Sequence, residues 1–267
     1  MTEAQSNGTA AVFNKVPAVT LLFWVIKILA TTVGETAADV LSTTFKLGLV
    51  VTSYVMAAAL IIALVFQFRA RKYVPTTYWI AVVFISVVGT LISDNLVDNL
   101  GVSLATTTII FSVALVAVFI WWYVSERTLS VHTIQTRRRE FFYWSAILFT
   151  FSLGTSGGDL LSEKLGLGYA VAFGIFAGGI AIVYALHRLH AVNEVLAFWA
   201  AYILTRPLGA SAGDLLTQTP SNGGLGLSRL ATTGVILAVA AILVAYLTVQ
   251  ERKHPTMAID GAEVAKG

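Results

Sequence analysis

The chain has 267 residues, 57% of them apolar and only 12% charged, and a mean hydropathy of +0.81; soluble domains carry roughly 25% charge, so that class is excluded and an integral membrane protein is implied. A lipid core of ~30 Å needs ~20 apolar residues per helix because lipid offers no partner for unpaired backbone groups, which leaves room for about eight spans and little else. The net charge of +3 sits mostly in short loops, where it reports orientation rather than a nucleic-acid partner, and the lack of cysteine removes disulfides, thiolate metal sites and cysteine nucleophiles.

Residues 1–15 read as a flexible cytoplasmic tail without the basic start and short apolar core of a cleaved signal. Repeat 1 (residues 16–73) opens at Pro17, a residue suited to a first helical turn, runs through Trp24 to about Thr44, breaks at Lys46-Leu47-Gly48 and returns as an apolar span over 49–68. Repeat 2 (74–124) starts a helix at Pro75, passes Trp79 and Asp94, breaks at Leu100-Gly101 and returns to about Tyr123. A basic cytoplasmic linker (125–140) carries Arg127 and the run Arg137, Arg138, Arg139. Repeat 3 (141–190) passes Trp144 and Asp159 and breaks at Leu167-Gly168. Repeat 4 (191–249) passes Trp199 and Asp214, turns through Pro220 to Gly224, and is followed by a polar tail (250–267).

The repeats share one frame. An aromatic residue and a tryptophan (Phe23-Trp24, Tyr78-Trp79, Tyr143-Trp144, Phe198-Trp199) precede by ten residues a glycine (Gly34, Gly89, Gly154, Gly209), and an aspartate (Asp39, Asp94, Asp159, Asp214) lies five beyond it. The aspartates are 55, 65 and 55 residues apart, so the two halves of the chain mirror each other. Twelve Lys and Arg residues flank the starts of odd helices and the ends of even ones, while Lys46, Lys164 and Arg229 stand at the opposite side. The positive-inside tendency then puts both termini in the cytoplasm and runs all four repeats in the same direction, as parallel repeats. The expected architecture is an all-α polytopic bundle of pseudo-fourfold or nested twofold symmetry, in the cytoplasmic (inner) membrane, with polar odd helices inside and apolar even helices facing lipid.

The odd helices carry the chemistry. The motif glycines, with Ala38, Ser93, Gly158 and Gly213 four positions on, are small enough for close helix packing in lipid. About 22 Å of helix rise separates each tryptophan from its aspartate, so an aromatic belt at one interface places the acids beyond the midplane. Glu35, Asp98 and Glu163 join them, bringing seven of the fourteen acidic residues to one level. With Thr36, Thr90, Thr155 and Ser211 they offer an oxygen-rich cluster suited to Mn²⁺ or Mg²⁺ as a transported substrate, with Asp39, Asp94, Asp159, Asp214 and Glu35 as metal ligands. Protons could use the same acids as a relay, since crowded like charges disfavour one another. The alternative is that each aspartate caps a broken helix end. Lys27 and Arg206, each eight residues before an acid (Glu35 and Asp214), compensate the cluster's charge, hold helices together or act as gating charges. His132, His187, His190 and His254 lie in or beside loops without zinc spacing, and the basic run near Arg138 reads as topological or as a contact for anionic lipid.

The opening KVPAVTLLFWVIKILATTVGETAADVLS and its three further Trp and Gly-to-Asp repeats closely resemble a bacterial family of uncharacterised membrane-anchored proteins built from four copies of a repeat of unknown function. The likeness covers about residues 15–250 and implies the repeated membrane architecture. It brings no activity, so the functional expectation stands on the residues: a cation transporter or channel, a divalent metal such as manganese first, with proton coupling as an option. A non-transporting scaffold or sensor with a structural polar core is the alternative. No nucleophile and base pair marks an enzyme; bilayer and cation are the expected partners, with a homo-oligomer compatible and no resident cofactor required.

Overall fold

The computed structural model describes residues 14–253. Among the described residues the protein is all-helical, with eight long helices: α1 (Leu21–Asp39), α2 (Gly48–Arg69), α3 (Pro75–Asp94), α4 (Leu104–Glu126), α5 (Arg137–Asp159), α6 (Tyr169–Arg188), α7 (Glu194–Thr217) and α8 (Arg229–Lys253). Seven are long and apolar enough to cross a membrane. The exception is α5, which has Arg137, Arg138, Arg139 and Glu140 in its first turn and a Gly-, Ser- and Thr-rich end. His254 and the distal part of the C-terminal tail lie outside the described residues.

The odd helices form a closed ring in which α1 packs on α3, α3 on α5, α5 on α7 and α7 on α1. Each even helix lies against the odd helix that follows it, so α2 covers α3, α4 covers α5, α6 covers α7 and α8 returns to α1. More than half of α1, α3 and α7 is buried, against at most 22% of α2, α4, α6 or α8. Those four outer helices present Val, Ile, Leu and aromatic side chains outward, an arrangement that a lipid surround makes favourable.

Helix starts follow local chemistry. Pro75 occupies the first turn of α3, while Ser103, Thr136 and Asn193 cap α4, α5 and α7 by accepting a hydrogen bond from a backbone N–H three residues on. The expected start of α1 at Pro17 is corrected: the helix begins at Leu21, because Thr20 caps it through a bond from Phe23 N at 3.3 Å and Pro17 lies in the irregular segment before it. The linker is shorter than expected too. Thr136 starts α5 at Arg137, so the arginine run is helical, and Arg138 and Arg139 reach back to Glu126 at the end of α4 at 3.3 and 2.9 Å. Nor are Asn14 and Lys15 part of a free tail. Lys15 N bonds Ile134 O, Tyr73 N bonds Asn14 O, and the Lys15 ammonium meets the Glu140 carboxylate at 2.7 Å, all of it buried.

At the opposite end, α1, α3 and α5 do not stop at their aspartates. Each continues into a five-residue π-helical turn, Val40–Thr44, Asn95–Asn99 or Leu160–Lys164. The chain then reverses through left-handed backbone, for which Gly101 (φ 68°) and Gly168 (φ 77°) carry no Cβ penalty. The fourth repeat lacks the π turn: α7 runs past Asp214 to Thr217 and leads into a short 3₁₀ turn, Pro220–Asn222.

Candidate functional site

The four aromatic pairs close one end of the ring. Phe23 packs on Trp79, Tyr78 on Trp144, Tyr143 on Trp199 and Phe198 on Trp24, with centroids 5.7, 5.4, 6.2 and 5.6 Å apart. Each first ring thus meets the tryptophan of the next repeat, and the fourth returns to the first. Trp79, Trp144 and Trp199 are buried and Trp24 is half-buried, so the rings expected as an interfacial belt pack on one another as an internal seal; rings of this size stabilise most when both faces find partners. The Tyr78 and Tyr143 hydroxyls bond each other at 2.5 Å. Trp79 Nε1 donates to Tyr73 Oη at 3.2 Å, and burial pushes the Tyr73 phenol well above its ordinary value.

One helical stage deeper, the motif glycines mark the crossings. A side chain on Gly34 would overlap Ser86; on Gly89, Phe151; on Gly154, Arg206 and Pro207; on Gly209, Thr31. Thr31, Ser86, Phe151 and Arg206 each stand three residues before their own motif glycine. Every glycine therefore seats the same position of the next odd helix, and Gly154 leaves the space that the Arg206 stem fills.

From that seat Arg206 reaches the centre of the ring and is fully buried. Nη2 donates to Glu35 Oε2 at 2.9 Å, to Thr155 Oγ1 at 2.8 Å and, closer still, to Thr90 Oγ1, while Nη1 lies 3.4 Å from Thr31 O. Glu35, Thr90 and Thr155 each directly follow a motif glycine; Ala210 takes that place in α7 and offers no oxygen. Arg206 does not pair with Asp214 on its own helix, the acid that spacing suggested. Thr90 and Thr155, expected among cation ligands, turn their hydroxyls to the protein's own cation, and Thr36 bonds back to Thr32 O at 3.2 Å. Lys27 lies below, also fully buried, with Nζ at 2.5 Å from Thr205 Oγ1, 3.2 Å from Tyr202 O and 3.9 Å from the Tyr202 ring centre. Its ammonium is held by neutral oxygens and aromatic faces rather than by the acidic cluster.

Above Arg206 opens a cavity of about 150 Å³ lined by Glu35, Asp39, Asp94, Asp98, Asp159, Glu163 and Asp214, together with Val97, Leu104 and Gln218. The seven acids grouped by spacing alone do share one space. They are graded by depth: Asp98 and Glu163 are exposed, Asp39, Asp94 and Asp159 half-buried, Asp214 and Glu35 buried. Helix capping does not account for them, since Asp39, Asp94 and Asp159 make no side-chain bond at the π turns that follow. Asp214 is approached by Gln218 Nε2 at 3.5 Å, and Tyr169 Oη donates to Glu163 Oε1 at 3.0 Å. Among the described residues no three His, Asp or Glu side chains stand where one metal ion could be held. The proposed metal ligands face one cavity without converging on a point.

A family profile described as Repeat of Unknown Function (DUF347) matches four times, at residues 22–73, 77–128, 142–191 and 197–253. The chain belongs to this family. Each matched copy spans one odd helix and the even helix after it, the same division that the aromatic, glycine and aspartate spacings draw. No curated protein and no solved structure matches the chain.

Three partners at the acidic and aromatic ends were not foreseen. Arg229, at the start of α8, approaches Asp39 at 3.4 Å across a partly exposed gap. Such pairs contribute at most about 1 kcal/mol, so Arg229→Gln should leave the melting temperature within about 3 °C of the parent; a larger drop would show the gap to be drier than its exposure implies. Tyr202 and Thr205, which hold Lys27, lie four and one residues before Arg206 on α7; spacing alone gave no sign of them because it does not say which helix a side chain crosses to.

Proposed function

We propose that the protein is a multi-pass transporter or channel for a cation, with the acidic cavity as its vestibule. The observation that carries this reading is the cavity itself: seven carboxylates, graded from exposed to buried, end on a buried arginine. A scaffold gains nothing from such an arrangement, because intramembrane acids cost roughly 2.5–3.5 kcal/mol each on insertion scales. The clustered charge concentrates cations at the mouth. All eight long helices, α5 included, cross the bilayer as four parallel pairs related by a pseudo-fourfold axis; the cyclic aromatic and glycine contacts support that. The positive-inside tendency puts both termini and the aromatic seal at the cytoplasmic face, and the vestibule outside.

A divalent metal such as Mn²⁺ is the first candidate substrate, with Asp39, Asp94, Asp159 and Asp214 as ligands that draw together when it enters, and protons as the exchange ion. Asp159→Asn is expected to cut Mn²⁺ movement by about tenfold or more, the loss of one ligand's worth of binding, when cells with matched amounts of protein are compared. Unchanged transport would overturn the assignment. The lack, among the described residues, of a ready three-ligand metal geometry is what a second reading rests on, a scaffold or sensor with a structural polar core; on that reading neither metal ions nor pH moves the melting temperature of the purified protein.

A further inference from the structure

We propose that the oxygens around Arg206 form a second, inner binding site for a monovalent cation of the guanidinium class, and that Arg206 is its tethered occupant. Glu35, Thr90 and Thr155 come from three different helices, stand at the same place in their repeats, and point at one guanidinium nitrogen. In the fourth repeat that place is Ala210, which offers no oxygen, and the arginine one turn earlier on the same helix supplies the cation that the other three bind. The cage therefore has the layout of a site formed by equivalent positions, occupied by the chain itself.

The donor set argues for the class. One carboxylate, two hydroxyls and a carbonyl neutralise a single positive charge, and they stand 2.8–3.4 Å from Nη1 and Nη2 in three of the four contacts. Those are hydrogen-bond lengths; Mg²⁺ demands six oxygens at about 2.0–2.1 Å. The Phe151 ring centre lies 6.0 Å from Arg206 Cζ, and the Lys27 ammonium lies 4.9 Å from the same ring, so the cage also has the aromatic wall that suits a flat, weakly hydrated cation.

Arg206 is not held at every donor it has. Its Nε is buried without a hydrogen-bond partner, so the cage does not use every donor. Glu35 lines the vestibule as well as the cage, which makes it the passage between them. Asp214 stands two turns further along α7 from Arg206, on roughly the same face and ~12 Å up the axis, so a swing of the side chain trades one carboxylate for another. A cation arriving through the vestibule would take the place the guanidinium gives up. This consequence rests on the transport reading; occupancy of the cage does not.

Binding to the purified full-length protein in detergent is therefore the test. Arg206→Ala, titrated with millimolar guanidinium chloride, is expected to show a saturable rise in Tm of about 3–5 °C at a tenfold excess over the dissociation constant. Tetramethylammonium chloride at equal ionic strength gives no rise, the parent protein does not respond, and Arg206→Ala/Glu35→Gln loses the response. A response no larger in Arg206→Ala than in the parent, or one that survives removal of the Glu35 charge, overturns the proposal. Recovery of a monodisperse Arg206→Ala protein only when guanidinium is present supports it. If the variant aggregates with and without guanidinium, Arg206→Gln takes the same titration, and a flat curve there overturns it. A saturable shift alongside unchanged Mn²⁺ movement in Asp159→Asn would keep the inner site and sink the transport reading.

Discussion

Lys15→Met is expected to lower the free energy of unfolding by about 3–5 kcal/mol, the usual cost of leaving one member of a buried ion pair alone. Lys15 Nζ meets Glu140 Oε2 at 2.7 Å and Phe68 O at 3.4 Å, while Glu140 Oε1 accepts from Gln67 Nε2 at 3.0 Å. Three separate stretches are joined there: the segment before α1, the end of α2 and the start of α5. With the ammonium gone, the Glu140 carboxylate keeps only the Gln67 amide and has no water to replace what it lost, since Glu140 and Gln67 are fully buried. Lys15→Met/Glu140→Leu removes both charges and should return to within about 1 kcal/mol of the parent, because well-packed apolar replacements of a buried pair are often neutral. The measurement is reversible unfolding in mixed micelles for the parent, both single variants and the double variant. A loss below about 1 kcal/mol in the single variant would mean that the pair behaves like an exposed one.

How legible these features were depends on the kind of information each needs. The four-copy architecture and the gathering of seven acids could be read from spacing, because each copy solves the same packing problem with the same residue types at the same intervals. Pro75 and the breaks at Lys46–Gly48, Gly101 and Gly168 were legible too, since proline and left-handed glycine act on the backbone where they stand. What spacing could not supply was the destination of a side chain across a helix crossing. Arg206 and Asp214 share a face of α7, yet the guanidinium goes to Glu35 on α1, because Gly154 opens room in that direction. The aligned positions held a hint: the residue three before each glycine is Thr, Ser, Phe and Arg, and a ring of crossings makes that position point inward. Lys15 was misread for a different reason. Its neighbours before residue 14 are polar, which describes a tail, whereas its burial is set by Glu140, 125 residues away.

The sharpest test of the ring is a pair of alanines three residues apart on α5. Gly154→Ala is expected to cost about 1–3 kcal/mol through overpacking, since its Cβ would fall on the Arg206 stem and against Pro207 Cδ. Gly157→Ala meets open space and should be neutral, or gain up to about 1 kcal/mol from the better helix former. The same contrast can be relieved from the other side at the first crossing. A Cβ on Gly34 would overlap the Ser86 side chain and touch its backbone at 3.0 Å. Gly34→Ala/Ser86→Gly should therefore recover part of the loss of Gly34→Ala, and the residual cost measures the backbone contact. Reversible unfolding of the five proteins decides it. Equal effects at Gly154 and Gly157 would mean that helix propensity, and not the crossing, sets the need for glycine. Unequal effects would tie the motif to the approach of α5 and α7, and so to the space in which Arg206 reaches Thr155, Thr90 and Glu35.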